Sequence, residues 1–232
     1  MFVFDFTILL SFFSSFHSLV CFRCVQVKWG FDTDVNAAAV AELRAQQQKA
    51  AESGKKKLPQ SCAYITVGTG VGIGVMCGGG RVHGMLHPEG GHMIVPRADG
   101  DTFPGSCPFH KCCIEGMVAS GALSARLNID RSHLRDLADS DPVWDYTAHY
   151  LAHCCANLVY IVSPEVIVLG GGIMNRSCLF PLIRKKMLEI IAGYIAVPQL
   201  SEDGANNYIV PAIYGSNAGV QGALELARLA LK

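Results

Sequence analysis

The chain has 232 residues, half of them apolar, and its 19 Lys and Arg balance 19 Asp and Glu to a formal net charge of zero. That length buries a real core in one or two domains, and without a basic excess or a Lys/Arg stripe the sequence argues against nucleic acid as a partner. Ten cysteines in a chain this long and this rich in core-forming residues argue against a small secreted disulfide framework and for a reducing, cytoplasmic setting.

Met1 to Phe22 is apolar enough to suggest a signal peptide or membrane segment. However, the first basic residue is Arg23, and Asp5 sits where a positive region belongs. Asp5, His17 and the serines also dilute the run below the roughly 20 apolar residues a spanning helix needs. Residues foreign to the domain are the favoured reading, and a membrane association is not expected. From Cys24 to Phe31 the alternation and the Val and aromatic content predict a strand. Asn36 to Gln48 is dense in helix formers and predicts a helix with Asp34 and Asn36 at its mouth. Asp34 reads as a cap or as a general base at a strand end, where α/β enzymes place their chemistry; with its neighbours alone, the cap is favoured.

Ala50 to Gln60, with Lys55 to Lys57, reads as a surface loop. Cys62 to Val67 is a buried strand; Gly68, Thr69, Gly70, Val71 and Gly72 then turn into a second strand, Ile73 to Cys77. Such a hairpin's N–H groups can face an anion, although glycine turns also serve hairpins alone. No Gly-Lys-Ser/Thr follows, which excludes a Walker loop.

The loop from Leu86 to Glu115 carries the densest chemistry. Glu89 and His92 form a polar cluster suited to a sugar. His92, Cys107, His110 and Cys113 supply four N or S donors for tetrahedral zinc, the last three at Cys-x-x-His-x-x-Cys spacing, with Pro104, Gly105 and Pro108 favouring a tight turn. So polar a loop offers the cysteines no core to pack into, which disfavours reading them as packed hydrophobes. Cys112 competes with Cys113 as a ligand, and the spacing leaves both open.

Beyond Glu115, MVASGALSARL predicts two short helices broken at Ser-Gly. Asp141-Pro142 starts a helix from Val143 to Val162, whose apolar spacing makes it core and whose His149, His153, Cys154 and Cys155 read as packing. Glu165 to Leu169 is a strand leading through Gly170, Gly171 and Gly172 to a helical stretch, Leu179 to Ile195. Strand, triple glycine and helix suit a phosphate or adenosine approach, or simply close strand–helix packing. A strand near Tyr208 to Pro211 and a helix from Ala218 to Leu231 complete the chain.

Taken together, GFDTDVNAAAVAE, TVGTGVGIGV, HPEGGH, CPFHKCCIEG with SGAL after it, and VIVLGGGI resemble the ROK family of sugar kinases, and the zinc loop resembles its fructokinase branch. The resemblance runs from about Lys28 to the carboxyl end. It implies an α/β fold of the actin and hexokinase group, in which two ribonuclease-H-like lobes close over ATP and a hexose. It further implies Asp34 as catalytic base; Glu89, His92 and Glu115 as sugar contacts; and His92, Cys107, His110 and Cys113 as zinc ligands, with Cys112 outside the set. Gly68, Thr69 and Gly70 match a phosphate loop, and Gly170, Gly171 and Gly172 an adenosine motif. ATP, Mg2+ and Zn2+ are the implied cofactors, fructose the favoured hexose, and pairing through the carboxyl-terminal lobe the implied dimer.

The family's first hairpin, with Asp-x-Gly-Gly-Thr, has no counterpart, and Thr33 stands where many relatives have Asn. The expected organisation is therefore a non-family segment at 1–23, a remnant of an incomplete amino-terminal lobe at 24–60, and a largely complete carboxyl-terminal lobe at 61–232 with the zinc loop at 86–115. The runner-up to an active fructokinase is a zinc-stabilised remnant that binds sugar without transferring phosphate. A ROK-type repressor is third, since no helix-turn-helix precedes the domain.

Overall fold

The computed structural model describes residues 28–231, so the apolar run from Met1 to Phe22 and the first half of the expected strand at 24–31 lie outside the described residues. The described half, 28–31, is not a strand. A strand needs a ladder partner, and this segment instead passes the end of the last helix: Gly30 lies against the Leu226 carbonyl, and the Lys28 ammonium donates to the Leu231 carbonyl at 3.3 Å.

Helix α1 (Asp34–Glu52) is started by Thr33, whose hydroxyl accepts the Asn36 N–H at 3.1 Å. Strands β1 (Cys62–Val67) and β2 (Val71–Cys77) form the expected hairpin, and β3 (Gly80–Arg81) adds a short edge. Two short helices follow, α2 (Ile114–Val118) and α3 (Ser120–Leu127), with their break at Ala119 rather than at Ser120-Gly121 because Ala119 itself turns extended (ψ 155°). The long helix α4 (Val143–Val162) precedes β4 (Ile167–Gly170). Helix α5 (Leu179–Ile191) stops four residues short of expectation: Ala192 (φ 50°) and Gly193 (φ 73°) turn left-handed. A single turn, α6 (Ala205–Tyr208), leads into β5 (Ile209–Pro211), and α7 (Ala218–Ala230) ends the fold.

The strands make one sheet in the order β3-β2-β1-β4-β5, with β1 antiparallel to β2 and parallel to β4, and β4 parallel to β5. The central strand β1 is apolar except for Thr66 because both of its faces are covered. Cys62 and Tyr64 point to a layer of α1 and α7 residues including Ala39, Leu43 and Ala218, whereas Ala63, Ile65 and Val67 point to the larger core of Trp144, Leu151, Ile183 and Met187 on α4 and α5. Cys154 and Cys155 are fully buried there, and burial pushes the Cys154 thiol up to about 12, so both serve as small hydrophobes. Among the described residues no helix is long and apolar enough to cross a membrane.

Helix α1, within the 24–60 segment, covers one face of this sheet. Helix α1 crosses β2 so closely that a Cβ on Gly74 would lie 2.3 Å from the Val35 carbonyl oxygen. It also pairs with α7 through Arg44 and Glu225. Buried Glu42 accepts the N–H groups of Ile213 and Tyr214, both at 3.0 Å, which ties α1 to the chain leaving β5.

Candidate functional site

At the mouth of α1, Asp34 is the first helical residue; its carboxylate is exposed and accepts the Val35 N–H at 2.9 Å. It borders a cavity of about 190 Å³ with Tyr64, Thr66, Gly171 and Ser216. Val35 packs where Gly72 lacks a side chain, and the N–H of Val71, one residue back on β2, donates at 3.0 Å to Glu115 Oε2. Asp34 and Glu115 therefore flank the same end of the β1–β2 hairpin. Glu115 is carried there by α2, in which Ile114, Gly116, Met117 and Val118 are buried and only Glu115 turns out.

The loop before α2 is held at both ends. Gly90 packs on Ile73, and the Ile114 N–H donates to the Met93 carbonyl at 3.0 Å. Its far side is closed by Asp101, 6 % exposed, which receives the Arg126 guanidinium and, at 2.5 Å, the Tyr150 hydroxyl. Burial raises the Asp101 carboxyl, but the Arg126, Tyr150 and Phe103 donors outweigh it and hold the group below the usual carboxylate range. Glu89 is exposed and bonds His87 Nε2 at 2.7 Å.

His92, Cys107, His110 and Cys113 converge, their ligand atoms all within 4.8 Å of one another. Zinc with bonds of about 2.3 Å to sulfur and about 2.0 Å to nitrogen places neighbouring tetrahedral ligands about 3.6 Å apart. Here His92 Nδ1 lies 3.6 Å from Cys113 Sγ and 3.9 Å from Cys107 Sγ, and His110 Nδ1 lies 3.8 Å from Cys107 Sγ. The donor set fits. A tight knuckle builds it: Cys107 and Lys111 exchange backbone bonds, the His110 N–H points at Cys107 Sγ at 3.5 Å, and Lys111 adopts φ 57°. Gly105 (φ 88°) leaves space for the Lys111 carbonyl that a Cβ would fill.

Both thiols are buried, Cys107 2 % and Cys113 0 % exposed, with Cys113 at the start of α2, yet neither belongs to the hydrophobic clusters on the two faces of the sheet. Burial pushes the Cys113 thiol up to about 11, and the nearby Cys107 sulfur reinforces this. At Cys107 burial acts the same way, but the His110 and Phe109 N–H groups outweigh it and hold the thiol low. Cys112 is half-buried and outside the cluster.

Two glycine segments meet at the turn of the same hairpin. The Gly68 N–H is taken by the Gly70 carbonyl at 2.9 Å and the Gly68 carbonyl by the Ser120 N–H at 2.8 Å, so the donors this turn can present are those of Thr69 and Gly70. Gly170 ends β4 and packs on Tyr64 and Ala212, Gly171 (φ 88°) lies against the Val67 backbone, and Gly172 has no atom within 4 Å of where a Cβ would stand, while all three line a cavity with Asn175 and Ser216. Gly172 faces a cavity of about 780 Å³ whose walls include Gly68, Thr69, Trp144, Asn175 and Arg176. Within that wall Arg176 is stacked on Trp144 at 4.4 Å and pinned by Asp139 and the Leu134 and Arg135 carbonyls. Arg176 and Trp144 carry no motif that sequence reading could have used; apolar spacing marked Trp144 as core.

A second group also escaped the sequence reading. The Asp32 side chain is 1 % exposed. Its Oδ1 accepts the Thr33 N–H at 2.8 Å and Asn36 Nδ2 at 2.7 Å; its Oδ2 accepts Arg81 at 2.7 Å and meets His83 Nε2 at 3.0 Å. Burial raises this carboxyl, yet these four partners together lower it.

Comparison with known proteins agrees with this architecture. A fructokinase of Pediococcus pentosaceus is 40 % identical over 200 residues, covering 86 % of this chain, and one of Streptococcus mutans is 33 % identical over 207 residues, covering 88 %. This chain spans 64 % of the length of each. Among solved structures, a ROK hexokinase from Thermus thermophilus superposes with a TM-score of 0.66 at 26 % identity, covering 86 % of this chain and 65 % of that one. A ROK glucokinase from Streptomyces griseus, solved with glucose and AMPPNP, shares the fold at a TM-score of 0.60 and 23 % identity. The ROK family model matches residues 23–230: the chain belongs to the ROK family.

Proposed function

We propose that the protein phosphorylates a hexose at the expense of ATP, with fructose as the sugar and fructose 6-phosphate as the product. The observation that carries this reading is the placement of Asp34 and Glu115 at one end of the β1–β2 hairpin, linked through Val35, Gly72 and Val71, in a chain 33 to 40 % identical to proteins named fructokinase. Phosphoryl transfer has a loose transition state, so the protein's task is alignment and charge stabilisation more than covalent chemistry. The exposed Asp34 carboxylate accepts the proton of the attacking hydroxyl, while Glu89, Glu115 and His92 hold other hydroxyls in register. Thr69 and Gly70 direct their N–H groups to the phosphates, and the cavity beside Gly172, walled by Trp144 and Arg176, takes the adenosine. Magnesium, bound largely through the nucleotide phosphates and water, supplies charge neutralisation at the transferred group.

His92, Cys107, His110 and Cys113 would hold one zinc ion, and with four protein ligands it would be structural, with no open position for substrate. The Nδ1 side of the His92 ring faces the two sulfurs. Its Nε2 is thereby left for the sugar, an orientation fixed from behind. The test is ADP release by the purified chain with fructose, glucose, mannose and N-acetylmannosamine, alongside calorimetric titration of each sugar. Turnover highest with fructose, lowered on the order of 10²- to 10⁴-fold in Asp34→Asn, is the expected result. Fructose binding without turnover would leave a sugar-binding protein, and no binding of any hexose would overturn the proposal.

A further inference from the structure

The Asp32 carboxylate gathers donors from three separate segments: Thr33 and Asn36 in the first turn of α1, Arg81 on the edge strand β3, and His83 in the connection that follows. Its side chain is 1 % exposed, whereas Arg81 and His83 remain 32 % and 46 % exposed, so the outer groups reach inward to a fixed anion. Among the described residues, the Asp34 carboxylate is hydrogen-bonded to its neighbour's N–H and the Thr33 hydroxyl to the Asn36 N–H, so no side-chain bond other than those to Asp32 ties this turn to another element. Packing sets this turn through Val35 on Gly72 and Gly74 and through Ala37 on Gly222 of α7, and the Asp32 cluster adds the polar tie to the β3 edge.

We propose that Asp32 is the positioning residue for Asp34, cross-linking the start of α1 to the β3 edge so that the Asp34 carboxylate stands at a fixed place beside the hairpin end. This rests on the reading of Asp34 as the group that receives the hexose hydroxyl. Asp32 itself touches no substrate. Charge-assisted bonds of this kind are short and directional, and a base displaced by about 1 Å loses on the order of a hundredfold in rate. Asp32 and its four partners are distinct from the residues bounding the large cavity beside Gly172, so its loss acts on the sugar and not on the nucleotide.

The experiment uses the full 232-residue chain and measures fructose and ADP affinities by calorimetry for the wild type, Asp32→Asn, His83→Ala, Asp34→Asn and the Asp32→Asn/Asp34→Asn double variant. Asp32→Asn, which keeps the shape but removes the charge, is expected to weaken fructose on the order of tenfold to a hundredfold and leave ADP affinity unchanged. The double variant is expected to bind fructose no more weakly than Asp34→Asn. A role confined to folding would lower both affinities together, and losses that multiply in the double variant would show Asp32 acting independently of Asp34; either result overturns the inference, as does unchanged fructose binding. Should Asp32→Asn fail to fold, His83→Ala carries the same test, with weaker fructose binding at unchanged ADP affinity supporting the inference and unchanged binding of both refuting it. A wild-type chain that binds no hexose would instead refute the proposed function, and this inference with it.

Discussion

Replacing Cys113 by Ser and, separately, Cys112 by Ser tests which of the two adjacent thiols serves the proposed zinc site. Cys113 Sγ lies 3.6 Å from His92 Nδ1 inside the four-residue cluster, whereas Cys112 is half-buried and outside it. Apparent zinc binding of roughly 10–16 kcal/mol shared over four ligands is about 2.5–4 kcal/mol per ligand. Losing one therefore weakens zinc on the order of a hundred- to a thousandfold. The consequence is local. Asp101 is locked by Arg126 and Tyr150 without any metal, so residues 97–103 hold while the knuckle at 104–112 opens. Metal content after dialysis against graded chelator is expected to give one zinc per chain for the wild type and Cys112→Ser, and a fraction of that for Cys113→Ser. Hydrogen exchange should accelerate at 104–112 and not at 97–103. Retention of zinc by Cys113→Ser with loss by Cys112→Ser, or a wild type purified without chelator that holds none, would refute the reasoning.

Asp101→Asn leaves the buried Arg126 charge without its partner and is expected to cost about 3–5 kcal/mol, read as a lower denaturant midpoint. Because the folded Asp101 carboxyl is held below its unfolded value, its contribution is complete above the ordinary carboxylate range and is lost as pH falls through the lowered value. Acid unfolding of the wild type should therefore be steeper than that of Asp101→Asn in that window. Gly74→Ala places a Cβ 2.3 Å from the Val35 carbonyl oxygen, so α1 must lift off β2. A loss of about 1–3 kcal/mol is expected in thermal unfolding, together with weaker fructose binding, since Asp34 travels with the helix; unchanged binding would detach the base from that contact.

Periodicity placed α1, the β1–β2 hairpin, α4 and α7 to within a few residues, because each carries a local signal: a cap, a glycine turn, an Asp-Pro start or an apolar stripe. It failed at 28–31, where a strand-like pattern met no neighbour to complete the ladder, and at Ala192, where a left-handed turn stopped α5 within a sequence that still favours helix. The four converging His and Cys side chains were legible because Cys-x-x-His-x-x-Cys is a local spacing and His92 lies in the loop ahead of it. Asp32 was not, since an acidic residue before a helix has ordinary uses and its partners Arg81 and His83 lie about fifty positions away.

The sequence by itself pointed to the candidate segments: the Asp34 turn, the Glu89 to Glu115 loop and the two glycine segments. Only tertiary structure decided how they lie together. It brought α1 onto β2 so that Asp34 and Glu115 flank one hairpin end, drew Cys113 and not Cys112 into the four-residue cluster, and set Gly170, Gly171 and Gly172 along one cavity at the end of β4. The physical reason is that a side chain's type is fixed by the chain, whereas its neighbours, its burial and hence its protonation and reach are set by contacts between segments remote in sequence.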